Sequence, residues 1–170
     1  MILKRNYSFK RVIRKILFFI ASKTPFIPGK YRALLFCWGG VKFDKPLSCF
    51  LGSNVYFDDL HPELISVGAH TIITEGTRVL SHFLDVSYDD FDHQYCAEVK
   101  IGSKVFIGMN TIIVKPITIG DGAIIGAGAV VSKDIPPYAI AVGNPIKVIK
   151  YRFDDEVITK LLQIKWWNFD

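Results

Sequence analysis

Six aliphatic residues recur at one fixed spacing in this chain: Ile101, Ile107, Ile113, Ile119, Ile125 and Val131. Gly102, Gly108, Gly120 and Gly126 directly follow four of them. A period of six is neither the 3.6 of a helix nor the 2 of a half-buried strand. It is the period of a parallel β-helix built from hexapeptides, in which each hexad is one short strand and one turn and three hexads close a triangular coil. The aliphatic residue points inward and stacks on its counterpart one coil away, and the glycine frees the backbone at the bend. An ordinary buried sheet has no reason to hold this period.

The same count extends upstream. Leu51-Gly52 reads as the first hexad start and Phe57 follows six later. Asp58 to Glu63 then puts the count out of phase, so a small insertion is expected there. Val67-Gly68, Ile73 and Val79 resume it. After Leu80-Ser81-His82-Phe83-Leu84-Asp85 the period stops until Ile101. The polar and aromatic excursion over residues 85–100 is longer than any turn needs, and long departures from a rigid scaffold tend to carry binding function. Its acids Asp89, Asp90 and Asp92 lack the spacing of a calcium loop. The coil region therefore spans residues 41–150. Beyond Pro136-Pro137, residues 151–170 read as a C-terminal helix: Asp154, Asp155 and Glu156 suit its N-terminus, Val157, Ile158, Leu161 and Leu162 form its apolar stripe, and Trp166-Trp167 end it. It is expected to cap the open end of the solenoid.

The chain carries a net charge of +5, but unevenly. Residues 1–32 hold nine Lys or Arg and no acid, leaving 12 basic against 16 acidic residues over the other 138. Residues 1–40 form a separate N-terminal segment. Within residues 1–24, Phe9, Ile13, Ile16 and Ile20 follow helical spacing, joined by Val12, Leu17 and Phe19, with Lys10, Arg11, Arg14 and Lys15 on the other face. The apolar stretch is far short of the ~20 residues of a membrane span, and it does not read as a cleaved signal. Two readings stay open: a helix lying on an anionic lipid surface, or a helix packed on the coils with its basic face in water. No recognition motif accompanies the charge, so a nucleic-acid partner is not expected. Tyr31–Trp38 reads as a second short helix after a Pro/Gly linker, and Gly39-Gly40 breaks it. Cys37, Cys49 and Cys96 show no paired spacing, which suits a reducing compartment.

The run I-G-S-K-V-F-I-G-M-N-T-I-I-V-K-P-I-T-I-G-D-G-A-I-I-G-A-G-A-V-V-S-K-D-I-P, with A-V-G-N-P-I-K-V-I-K after it, resembles the hexapeptide-repeat acyltransferases, among them the maltose and nodulation-type O-acetyltransferases and the xenobiotic group. The resemblance implies a left-handed coil, against the usual crossover hand, and an all-β fold flanked by helices. It implies acetyl-CoA as donor, no metal, and a homotrimer whose donor groove lies between neighbouring subunits. S-H-F-L-D is similar to the T-H-P-L-D of the maltose type, which makes His82 the catalytic base; imidazole titrates nearest neutrality and can take a hydroxyl proton. Asp85 is the first candidate to orient it and Glu75 the second, with a backbone carbonyl equally open. A turn N–H near Gly108 is the candidate oxyanion donor. Gly108, Met109, Ala127, Ser132 and Lys133 match the family's contacts to the donor, and Lys147 and Lys150 its phosphate-facing cations. Met109 stands where glycine is common and narrows the path of the pantetheine arm. The acceptor side is assigned Asn54, Asp59, His61 and His93; His70 reads as structural. The implied function is O-acetylation of a sugar hydroxyl in surface-polysaccharide or lipid-linked glycan assembly, in the cytoplasm, with a peripheral membrane contact through residues 1–24. The alternatives are an antibiotic O-acetyltransferase and, more remotely, a metal protein like the γ-type carbonic anhydrases. Successive histidines here are 9, 12 and 11 apart, against the five of that group's nearby ligands.

Overall fold

A computed structural model describes residues 9–84 and 94–169. Helices α1 (Phe9–Lys23) and α2 (Gly29–Trp38) come first. The first coil is β1 (Lys42–Phe43), β2 (Phe50–Leu51) and β3 (Tyr56–Phe57). The second is β4 (Ile65–Val67), β5 (Ile72–Ile73) and β6 (Arg78–Val79). An antiparallel pair, β7 (His82–Leu84) and β8 (Gln94–Cys96), leaves the solenoid here. The third coil is β9 (Val99–Ile101), β10 (Phe106–Ile107) and β11 (Ile112–Ile113); the fourth is β12 (Thr118–Ile119), β13 (Ile124–Ile125) and β14 (Val130–Val131). Strand β15 (Ala139–Val142) begins a fifth, and β16 (Lys147–Tyr151) folds back on it antiparallel before helix α3 (Asp155–Ile164).

The strands stack into three parallel faces. β1, β4, β9 and β12 make the first; β2, β5, β10, β13 and β15 the second; β3, β6, β11 and β14 the third. One inward residue per strand forms each ladder. Leu51, Ile73, Ile107, Ile125 and Ala141 line the second face and Phe57, Val79, Ile113 and Val131 the third, all fully buried. Each Leu, Ile, Val or Phe among them contributes roughly 1.5–3 kcal/mol of burial, and the β-branched shape of the Ile and Val residues suits close coil-to-coil packing.

The register measures the insertions. Ile107 and Ile125 are partners 18 residues apart, three clean hexads. Leu51 and Ile73 are 22 apart, so four extra residues lie at the corner after β3, within the stretch where the sequence loses its phase. Ile73 and Ile107 are 34 apart, which makes the excursion sixteen residues. The coils start earlier than the first hexad legible in the sequence: β1 pairs with β4 through Phe43 and Val67. With two residues and no glycine behind it, β1 leaves no periodic trace.

The corners need the left-handed backbone region. Asn54 and Asn110 supply it at the corner between the second and third faces, at φ 55° and 57°. At Gly108 the reason is proximity: a Cβ there would collide with the backbone nitrogen of Ala127 one coil on.

Helix α2 closes the N-terminal end. Ala33 and Phe36 are buried, and Phe36 meets Phe18 of α1 and Phe57 of β3 edge to face at centroid distances of 4.8 and 4.9 Å. Arg32 is buried beneath the end of α1 and donates to the carbonyls of Ala21, Ser22 and Thr24, so the helix terminus has partners although it is enclosed. α1 meets the body through Arg14, Phe18 and Ala21. Its row Phe9, Ile13, Ile16 and Ile20 faces solvent, which corrects the reading that packs this row on the coils. At the other end α3 buries no residue fully. The tryptophan pair beyond its C-terminus tethers it. Trp167 is buried, Trp166 donates its indole N–H to the Tyr138 hydroxyl at 3.2 Å, and the Lys104 ammonium sits 4.4 Å over the Trp166 ring. Strand β16, rather than α3, extends the sheet over that end.

Candidate active site

His82 opens β7 at the corner between the third and first faces, where the excursion departs. Its Nδ1 is hydrogen-bonded to Oδ2 of Asp58, which has no exposed surface, while the histidine side chain is 23% exposed. Asp58 also accepts from the Ser81 N–H at 3.0 Å, the Ser81 hydroxyl at 2.9 Å and the Leu60 N–H at 3.1 Å. Four donors converge on one buried carboxylate. Burial works to raise its pKa, but the bonds from His82, Leu60 and Ser81 outweigh it and hold the group below its ordinary value. Asp58 is therefore an anion at neutral pH. With the anion accepting, Nδ1 of His82 is the donor, and in the neutral ring the lone pair is then on Nε2. Such a pair can accept a proton at Nε2 and stabilise the resulting imidazolium.

The stacking of the coils creates this contact. Phe57 pairs with Val79, so the residue after Phe57 lies one coil beneath Leu80-Ser81-His82. Asp58 and His82 are 24 residues apart and yet neighbours. The in-phase count that aligns Phe57 with Val79 could have found Asp58; in the sequence that stretch reads only as an insertion. Of the two orienters expected, Asp85 falls outside the described residues, and Glu75 accepts from Asn54 at 3.2 Å at a different corner.

The remaining expected residues fall into separate places. At the His82 corner, Asp59 takes Lys15 of α1 at 3.6 Å and Tyr56 at 3.4 Å, and His61 lies 3.1 Å from Glu63. Burial, with Asp59 and Asp58 nearby, pushes the Tyr56 hydroxyl up to about 12, so it stays protonated as a donor. Ser132 and Lys133 share this corner two coils further on, half-buried and exposed respectively. His93 lies outside the described residues. At the corner between the second and third faces, Asn54, Glu75, Arg78, Met109 and Asn110 line a cleft of about 720 Å³. Ala127 is exposed on the coil above, and beside it Gly128 has open space where a side chain would stand. Gly108 is buried and its N–H donates to the Ile125 carbonyl at 2.9 Å, so it serves the stacking of coils and is not an available oxyanion donor. Lys147 and Lys150 are exposed on β16. Within one chain, the third face separates the His82 corner from the Met109 corner. Among the described residues, no three His, Cys, Asp or Glu side chains are grouped to hold a metal ion.

The chain is thus a parallel β-helix that holds a half-buried histidine on a buried aspartate at one corner. The profile of the bacterial transferase hexapeptide family (six repeats) matches residues 98–133. A putative acetyltransferase, YvoF of Bacillus subtilis (strain 168), is 40% identical over 146 residues, 83% of this chain and 78% of its own. The chain belongs to the hexapeptide-repeat transferase family. The chloramphenicol acetyltransferase of Agrobacterium fabrum is 55% identical over 69 residues, and the chain spans only 33% of that relative's length. Among solved structures, a maltose O-acetyltransferase from Clostridium difficile 630 superposes with a TM-score of 0.58 at 26% identity, over 85% of this chain and 87% of that one. A hexapeptide-repeat acetyltransferase from Vibrio cholerae, complexed with acetyl-CoA, reaches 0.61 at 17% identity over 85% and 88%. The fold shared with these neighbours is the left-handed parallel β-helix that the resemblance implied.

Proposed function

We propose that the chain is an acetyl-CoA-dependent O-acetyltransferase acting on a sugar hydroxyl, with His82 as general base and Asp58 as its positioning residue. The observation that carries this is the His82–Asp58 pair at the mouth of the excursion. The reading is supported by the family's reaction class, by an acetyl-CoA complex among the structures that share the fold, and by the maltose O-acetyltransferase neighbour, whose name carries a sugar acceptor. Nε2 of His82 takes the sugar hydroxyl proton as that oxygen attacks the thioester carbonyl. The tetrahedral intermediate then expels the thiolate, which receives the same proton back from the imidazolium, leaving an O-acetyl ester and free CoA. No covalent enzyme intermediate forms.

The residues present fit the donor. Ala127 and Gly128 leave the backbone uncovered for an extended arm, Met109 is exposed on the adjoining coil, and Lys147 and Lys150 offer cations to its phosphates. These elements and His82 lie at different corners of one chain, so the complete site needs a second subunit in a homotrimer. The apolar exterior of the second face supports such packing: Phe50, Ile72 and Phe106 stand in register on its outer side, each at least 40% exposed.

The test is acetyl-CoA turnover on a panel of mono- and oligosaccharides with chloramphenicol as comparator, on wild type and His82→Ala. Sugar acetylation reduced about 10²–10⁴-fold in the variant, with CoA binding retained, is the expected result. Unchanged turnover in His82→Ala overturns the mechanism. Turnover of chloramphenicol alone favours the second reading, antibiotic acetylation, which the 55% identical segment motivates.

A further inference from the structure

Helix α1 is mounted inside out. On a surface helix of a globular protein the apolar stripe faces the core. Here Phe9, Val12, Ile13, Ile16, Phe19 and Ile20 are 77, 49, 43, 52, 67 and 36% exposed. At 3.6 residues per turn they occupy one arc of about 120°. The opposite side, bearing Arg14, Phe18 and Ala21, packs on the protein. The helix is nevertheless firmly seated: Phe18 inserts against Phe36, Arg32 binds its terminal carbonyls, and Lys23 donates to Asn54 at 2.9 Å. It therefore presents its apolar arc as a fixed ridge about 22 Å long.

We infer that this ridge docks the protein on an anionic lipid surface. Charge complementarity selects that occupant. Cationic residues border both edges of the arc, Lys10 on one side and Arg11 and Lys15 on the other, and the stems of Arg11 and Lys15 line a groove with Val12, Ile16 and Phe19. Long cationic side chains flanking an apolar face can reach the headgroups while their stems stay in the acyl boundary. The sequence adds Lys4 and Arg5 before the helix, and residues 1–32 themselves contain no acid; the acids that face the helix are Asp59 and Glu63, against Lys15 and Arg14. A second copy of the chain would place like charges against each other along both edges. The docking is superficial: among the described residues no helix is long and apolar enough to cross a membrane. The same helix touches the candidate catalytic corner, since Arg14 reaches Glu63 at 4.0 Å and Lys15 reaches Asp59, the neighbour of Asp58. A docked ridge thus holds His82 near the lipid headgroups, although the docking itself does not depend on the proposed acetyl transfer.

The experiment is co-sedimentation of the full chain with vesicles of phosphatidylglycerol mixed with phosphatidylcholine, and with phosphatidylcholine alone, at low and high salt. Wild type is expected to pellet with the anionic vesicles at low salt and to be released by salt. An Ile16→Asp/Phe19→Asp variant, with unchanged thermal melting, is expected to lose pelleting about tenfold, and Lys10→Glu/Lys15→Glu to lose it on anionic vesicles. Wild type left in the supernatant with both vesicle types overturns the inference. So does equal pelleting on neutral vesicles, which removes the charge selection. Light scattering is the third arm: an assembly that Ile16→Asp/Phe19→Asp splits, without any vesicle binding by wild type, assigns the ridge to a second copy instead.

Discussion

The solenoid interior and helix α1 are both written as apolar rows in the sequence, and the protein uses them in opposite directions. Ile73, Ile107 and Ile125 stack one above another with no exposed surface, while Phe9, Ile16 and Phe19 stand more than half exposed. The difference lies in what the backbone permits. In the coils, parallel hydrogen bonding to the coils above and below fixes each strand, and the alternation of side chains then leaves one inward position per strand. A helix satisfies its backbone internally, so either face can be turned to the body. Regular periodicity thus establishes that a face is apolar; it establishes the direction only where neighbouring backbone is shared.

The largest effect that could break this comparison is Ile107→Asp. A carboxylate in the middle of the buried ladder has no partner, and no folded protein is expected, as read by circular dichroism. A variant that folds and melts like wild type would mean that the ladder is not the core.

Next comes the joint between the two regions. Arg32→Met keeps the stem but leaves the carbonyls of Ala21, Ser22 and Thr24 without their donor, at a cost of about 3 kcal/mol. The loss should be local: hydrogen exchange speeds up across α1 while the amides of the coils keep their protection. Uniform loss across the coils would show that α1 is part of the core after all.

Smaller again is Asp58→Asn, at the corner where α1 meets the coils. An amide cannot accept all four bonds, and about 1.5–3 kcal/mol is expected for those to a charged group, together with a drop in turnover smaller than that of His82→Ala. The folded pKa of Asp58 lies below its ordinary 3.8. Its stabilisation is therefore complete above the ordinary value and is lost as pH falls through the folded one. The melting-temperature gap between wild type and Asp58→Asn should close as pH falls below that ordinary value. A gap that widens below it would mean that the carboxylate is protonated in the native state.

The smallest effect belongs to the ridge. Ile16→Ala should shift stability by no more than about 0.5 kcal/mol, against about 2–5 kcal/mol for Ile107→Ala, in paired denaturant titrations. A loss at Ile16 of the size expected at Ile107 would show that the ridge is covered in solution.

Counting along the chain is enough to establish the solenoid, its inward residues, the two insertions and the place of His82 at the start of the second one. It aligns Phe57 with Val79 and so brings Asp58 within reach of His82, but it does not single out Asp58 among the residues of that insertion. That contact joins residues 24 apart on successive coils, and it depends on how many residues each corner inserts before the strands come back into register. Nor does counting show that Asn54 and Met109 lie on one corner while Asp59, His61 and His82 lie on another, since position around a coil is a property of the closed triangle. The direction of α1 is the feature furthest from the sequence. Its apolar arc and its cationic edges are legible there, but Phe18, Ala21 and the carbonyls reaching Arg32 compete for the body against six apolar residues of the arc, and only the packing of Phe18 on Phe36, itself against Phe57, says which side won.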